Sequence, residues 1–300
     1  MAKAERPAGP DGFAVVDKAA GWTSHDVVAK ARGILGTRKV GHAGTLDPDA
    51  TGVLILGIGR GTRLLQFLSG LPKRYTAEIV LGTETTTLDA SGEVTATHDM
   101  AAVTDADVRA GAARFVGRIE QVPPMVSAIK VGGRRLHELA REGIEVERKA
   151  RPVTVYRFDV EPLGGGVWRA DVECSAGTYI RTLAADLGHA LGGGAHLRAL
   201  RRTAIGSFTE AEAVPLEQVA ARPLAEALRD LPALAVDEAT AALVAHGRVL
   251  GRAELAAVAG ADVAGDGPWA VLGPGGALLA VYVGHGDGRA KPAVVVATGS

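Results

Sequence analysis

The chain has 300 residues, 47% of them hydrophobic, with 33 Lys and Arg against 34 Asp and Glu. That length and apolar content bury one substantial core and leave room for a second, smaller unit, while a charge balance near zero argues neither for nor against a nucleic-acid partner. Cys174 is the only cysteine, which excludes an internal disulfide framework or cysteine zinc cluster and fits a reducing cytosol.

The opening MAKAERPAGPDG lacks the apolar core of a signal peptide, and no later run reaches the length of a membrane span. A cytoplasmic protein with no membrane attachment is expected. Phe13 to Asp17 reads as a short strand, and Ser24 is placed to cap a helix through Val27, Val28 and Ala31 that stops near Gly36. A glycine-rich loop, GHAGTLDPDATG, then leads into the apolar stretch Val53 to Ile58, and Thr62 to Leu68 has helical spacing. Tyr75 to Leu81 alternates as a strand does, and a polar, turn-rich piece from Gly82 to Gly92 precedes a helix around Thr104 to Phe115. Pro123 and Pro124 end that region. A short helix at Leu136 to Arg141, strands at Val153 to Val160 and Val167 to Ser175, and a helix from Ile180 to Leu191 follow.

From about Val236 the character changes to one helical stretch, Glu238 to His246, and short Val- and Gly-rich runs at Trp269 to Leu272, Ala277 to Val283 and Pro292 to Val296. Strands and helices do not alternate regularly, so an α+β fold is expected, with a central mixed, largely antiparallel sheet flanked by helices and a small β-rich appendage. The division falls between residues 1–235 and 236–300.

Charge is uneven along the chain. Residues 203–267 hold ten acids and four bases, whereas the acid-free stretch from Ala50 to Ala77 contains Arg60, Arg63, Lys73 and Arg74. Lys130, Arg134, Arg135, Arg141, Arg148, Lys149 and Arg151 form a second basic stretch. Such clusters suit a phosphate backbone, although an ordinary solvated surface has the same composition.

Asp47 follows Gly41, Gly44 and Thr45 and precedes Pro48, which biases it away from helix. A carboxylate on such a loop has the placement of a catalytic group, and equally that of a turn former. His42 on the same loop could stack on or hydrogen-bond to a base, or be a half-buried loop histidine. With eight scattered histidines and no HExxH or paired cysteines, a transition-metal site has little support. Gly57, Gly59 and Gly61 lack a following Walker lysine and read as close-packing positions. Ser127 and Ser175 lie in no G-x-S-x-G elbow, which leaves a serine hydrolase without its main signature.

The segment GHAGTLDPDATGVLILGIGRGTR strongly resembles the catalytic motif of TruB-type tRNA pseudouridine-55 synthases. Ahead of it, VVDKAAGWTSHDVV resembles that family's N-terminal motif. After it, in matching order and spacing, come KRYTAEIVLGTETTTLDASG, QVPPMVSAIKVGGRRLHELAREG and CSAGTYIRTLAADLGHALGGGAHLRALRRTAIGSF. The resemblance spans roughly residues 13 to 210. Ala19, Gly61, Val126 and His137 depart from residues common in the family, which has Pro, Ala, Tyr and Tyr at those places.

The resemblance implies a pseudouridine synthase fold with a PUA-like C-terminal domain, and an enzyme that needs neither cofactor nor metal. Asp47 would be the essential aspartate, Arg181 its cationic partner and Tyr75 the ring against the flipped uracil, able also to help remove the C5 proton. His42 would fill the gap the base leaves, with Tyr179 and Leu200 completing the pocket. Residues of about 125–151 would form an insertion that closes over the RNA, mobile until RNA binds. The partner would be the T arm of tRNA, met by a monomer without an obligatory protein partner. A tRNA-folding RNA-binding protein independent of catalysis, and a synthase for another uridine site, are the alternatives.

Overall fold

Val53, Leu54, Ile55, Leu56 and Ile58 are all fully buried, as a continuous apolar run requires of a strand covered on both faces. They form the strand Thr51–Ile58, and successive side chains enter opposite layers. Val53 and Ile55 pack with Phe13, Val15, Ile205 and Phe208, while Leu54, Leu56 and Ile58 pack with Ala14, Val16 and the helix residues Val27, Val28 and Ala31. Each such side chain contributes about 1.5–3 kcal/mol on leaving water. The computed structural model describes residues 9–127, 130–144 and 146–297; most of the segment inspected for a signal peptide lies outside them.

Thr51–Ile58 lies inside a ten-stranded mixed sheet. From one edge the strands run Val214–Pro215, Gly12–Lys18, Thr51–Ile58, Ala195–Ile205, Lys73–Leu81, Val167–Cys174, Arg151–Gly164 and Gly117–Gln121. Val40–His42 pairs with Thr51–Ile58, and Phe208–Thr209 with Ala195–Ile205. Pairing is antiparallel except at Gly12–Lys18 with Val214–Pro215 and at Ala195–Ile205 with Thr51–Ile58. The helices Asp105–Ala113 and Ile180–Ala190 cover the far half through Val108, Ala112, Ile180, Leu183 and Leu187, packed on Ile79, Trp168 and Val172.

Several local features differ from the sequence expectations. The first helix, Ser24–Ile34, is capped by Thr23, whose hydroxyl accepts from the Asp26 amide while the Asp26 carboxylate accepts from the Thr23 amide. This reciprocal capping box releases Ser24 for another task. Thr62 to Leu68 is a 3-10 turn, Gly59–Leu64, running into the short helix Leu65–Ser69. A Cβ at Gly61 would lie 1.9 Å from the Gly12 carbonyl oxygen, so this glycine serves close packing as expected. The long strand Ala195–Ile205 was not anticipated, because register shifts after Leu197 and Arg202 break its period-two pattern.

The C-terminal sheet begins with Ala233–Ala235, which pairs in parallel with Trp269–Leu272; Leu278–His285, Arg289–Val295 and Leu250–Gly251 complete it. Its own core is built on Leu234, Val244, Leu255, Trp269 and Tyr282. Ala270, Leu278, Val281, Val294 and Val296 instead join the first sheet's layer around Phe13 and Phe208, so the appendage is docked by shared core. Among the described residues no helix is long and apolar enough to cross a membrane.

Candidate active site

Residues 43–50 bridge the paired strands Val40–His42 and Thr51–Ile58, and three buried side chains hold this loop. Ser24 Oγ accepts from the Leu46 amide at 2.8 Å and donates to the Leu46 carbonyl at 3.2 Å. Lys18 Nζ donates to the carbonyls of Pro48, Trp22 and Ala19 at 2.8, 2.6 and 3.0 Å, and burial pulls its pKa down to about 8. Arg202 donates through Nη2 to Gly44 O at 3.1 Å, Nη1 to Thr45 O at 3.4 Å and Nε to Val53 O at 2.8 Å. Gly44 sits at φ +108°, a conformation that a side chain resists.

Asp47 is thereby bracketed by anchors at Leu46 and Pro48, and its carboxylate meets Arg181. Arg181 Nε lies 3.0 Å from Asp47 Oδ2 and Nη2 lies 3.3 Å from Oδ1, a two-point guanidinium–carboxylate pair. Nη1 reaches Thr87 O at 2.9 Å and Asp89 Oδ2 at 3.4 Å, and Nη2 reaches Val126 O at 2.7 Å. The Arg181 side chain is 3% exposed and that of Asp47 43%: the cation is sealed into the protein while the carboxylate, half-buried, is reachable from the cleft. Arg181 follows the helix N-cap Tyr179, whose amide donates to the buried Gln121 Oε1 at 2.7 Å and whose carbonyl accepts from Gln121 Nε2 at 3.1 Å.

Burial raises the pKa of Asp47, and the nearby Asp89 raises it further, while Arg181 opposes both. Asp89 is fixed from behind, its Oδ1 accepting from Thr87 Oγ1 at 2.6 Å and from the Ser91 amide at 3.1 Å and hydroxyl at 2.5 Å. The preceding Leu88 has φ +61°, an uncommon conformation for a branched residue. Burial raises the Tyr75 and Tyr179 phenols, opposed at Tyr75 by Arg202. Burial, then Arg202, lowers the pKa of His42.

Asp47, Arg181 and Leu200 stand in the wall between two clefts. One, of about 280 Å³, contains Tyr75, Tyr179 and Arg202; the other, of about 500 Å³, contains Asp89, Ser91, Val126 and Arg198. Five of the six residues singled out from the sequence thus converge. His42 does not line either cleft; it lies half-buried at the end of its strand, and its Nδ1 has no hydrogen-bond partner among the described residues. Sequence reasoning passed over Lys18, Asp89, Gln121 and Arg202 and read Ser24 only as a helix cap, although all stand inside the quoted motifs.

In the acid-free stretch three of the four cations bond to other groups of the protein, while Arg74 is exposed. Arg60 pairs with Asp11 at 2.6 Å and donates to Val296 O at 2.5 Å, and Arg63 donates to Val295 O at 2.6 Å. Lys73 is buried on the carbonyls of Ser69 and Leu71. In the second basic stretch Arg134 pairs with Glu142 and Arg148 donates to Pro123 O, while Lys149 and Arg151 are exposed.

Comparison with known proteins agrees with this geometry. Residues 32–180 match the TruB family pseudouridylate synthase N-terminal domain, and residues 181–234 the tRNA pseudouridylate synthase B C-terminal domain. The chain is 50% identical to tRNA pseudouridine synthase B of Arthrobacter sp. (strain FB24), over 95% of this chain and 96% of that one. It is 46% identical to the protein of the same name from Thermobifida fusca (strain YX), over 96% and 99%. Among solved structures, an H/ACA RNP bound to a substrate RNA containing 2'-deoxyuridine superposes with TM-score 0.73 at 23% identity, covering 100% of this chain and 93% of that chain. An archaeal box H/ACA sRNP complex gives 0.69 at 25%, covering 99% and 89%. The fold is therefore the α+β pseudouridine synthase fold, and with its motifs matched from Arg32 to Leu234 and half its residues shared with a full-length relative, the chain belongs to the TruB family of pseudouridylate synthases.

Proposed function

We propose that this protein isomerises uridine to pseudouridine at position 55 in the T loop of tRNA, with Asp47 as the reacting carboxylate. The N1–C1′ bond of the uridine breaks, the uracil turns, C5 bonds to C1′, and the C5 proton leaves as N1 takes one up. An ionised carboxylate serves either as nucleophile or as base towards the sugar, and Arg181 keeps Asp47 ionised against burial. Tyr75 stacks on the uracil and is placed to help remove the C5 proton. Tyr179 and Leu200 complete the pocket, and His42 occupies the space that the extruded base vacates. Extrusion costs a few kcal/mol, offset by these stacking surfaces.

The observation that carries this reading is the two-point Arg181–Asp47 pair set between Tyr75, Tyr179 and Leu200 in one cleft. The choice of tRNA as substrate is supported by the names of the relatives. The enzyme acts as a cytoplasmic monomer without cofactor or obligatory protein partner. Residues of about 1–235 form the catalytic unit, those of about 125–151 close on the RNA, and those of about 236–300 form the PUA-like appendage.

Mapping pseudouridine along an unmodified tRNA after treatment with the protein tests the substrate. Product at position 55 is expected. Product confined to another uridine would replace the T loop with that site.

A further inference from the structure

Arg202 is 1% exposed, one of the largest fully buried side chains in the molecule. A buried cation is costly unless paired or fully hydrogen-bonded, yet among the described residues no carboxylate forms an ion pair with it. Its neighbour Arg201 binds Asp17 and Glu210, and Arg181 binds Asp47 and Asp89. Arg202 instead divides its three nitrogens among three main-chain carbonyls, those of Gly44, Thr45 and Val53.

Those carbonyls lie on two segments. Gly44 and Thr45 precede Asp47 by three and two residues, and Val53 lies in the strand that follows the loop. The guanidinium therefore sets the separation between the turn leading to Asp47 and the sheet beneath it. The backbone of Arg202 is equally constrained. It stands opposite Tyr75 in the antiparallel pairing and opposite Gly52 in the parallel one, and a Cβ at Gly52 would fall 2.2 Å from Arg202 O. Leu200 is two residues earlier on the same strand. One residue thus joins the loop of Asp47 to the strands of Tyr75 and Leu200.

We propose that Arg202 is a positioning residue of the isomerisation, its three-carbonyl fork fixing the distance from the Asp47 carboxylate to the base-stacking wall of Tyr75 and Leu200. The proposal rests on the reading of the protein as a uridine isomerase that uses Asp47. Lysine in place of arginine keeps the charge but donates from a single point, so it cannot hold these three carbonyls at the spacing that the rigid guanidinium fork imposes. Misplacing a reacting group by about 1 Å can cost on the order of 100-fold in rate, whereas a guanidinium that is 1% exposed offers no charge to the phosphates of a hairpin.

The test measures kcat and KM for a T-arm hairpin, and hairpin Kd, for wild type, Arg202→Lys and Arg202→Met, with thermal melting of each. Expected is a fall in kcat of roughly 30-fold or more for Arg202→Met and about tenfold for Arg202→Lys, with KM and Kd within about threefold of wild type. Should Arg202→Met not fold, Arg202→Lys decides. Turnover by a folded variant within about threefold of wild type would overturn the proposal, as would kcat and hairpin affinity falling together. A wild type that forms no pseudouridine would refute the underlying reading instead.

Discussion

At Asp47, burial and the charge of Asp89 favour the neutral acid while Arg181 favours the carboxylate, and the pKa stays above its ordinary value of 3.8. A folded-state pKa above the unfolded one means that stability present at low pH is lost as pH rises through the folded value. Near neutrality the ionised Asp47 is thus a net cost to the fold. Asp47→Asn removes that charge, and Arg181 keeps Asp89, Thr87 O and Val126 O. The melting temperature of Asp47→Asn at pH 7 is expected to equal or exceed that of wild type. A fall of more than about 3 °C, roughly 1 kcal/mol, would contradict this. Asp89→Asn removes the like charge that raises Asp47, so the acid limb of kcat/KM, expected above pH 3.8 in the wild type, should move to lower pH. A pH–rate profile checks it; an unmoved or raised limb would show that Asp89 does not set the ionisation of Asp47.

Among the elements, the loop of residues 43–50 and the clamp on the C-terminal strand separate what is legible in a sequence from what is not. Apolar runs and their periods disclosed Thr51–Ile58, Lys73–Leu81 and the helix Ile180–Ala190, since burial selects residue type directly. Asp47, Tyr75, Tyr179, Arg181 and Leu200 emerged from motif resemblance. The groups that hold the loop did not, because Ser24, Lys18 and Arg202 act on carbonyls and amides, and a bond to backbone leaves no partner residue to recognise. Thr23 and Ser24 are both good caps, and only the Asp26 carboxylate decides between them.

Arg60 and Arg63 show the same limit from the side of charge. They look like phosphate ligands in sequence but grip the carbonyls of Val296 and Val295. Arg60→Ala with Arg63→Ala is expected to make the C-terminal sheet more susceptible to protease while leaving the salt dependence of tRNA binding unchanged. A log–log salt slope reduced by about one or more per arginine would return them to the RNA surface.

On the scale of the whole molecule, the Phe13–Phe208 layer receives the C-terminal sheet, while Asp47 and Arg181 stand between two clefts lined by the adjacent central strands Ala195–Ile205 and Lys73–Leu81 of the main sheet. Rigid backing on one side and an open carboxylate on the other are what a reaction on an extruded base requires. The most direct measurement is tritium release from C5-labelled uridine in an unmodified T-arm hairpin, comparing wild type with Asp47→Asn. Release by the wild type and none by the variant, with both binding the hairpin, is expected. No release from either despite tight binding would contradict the catalytic reading and leave an RNA-folding protein in its place.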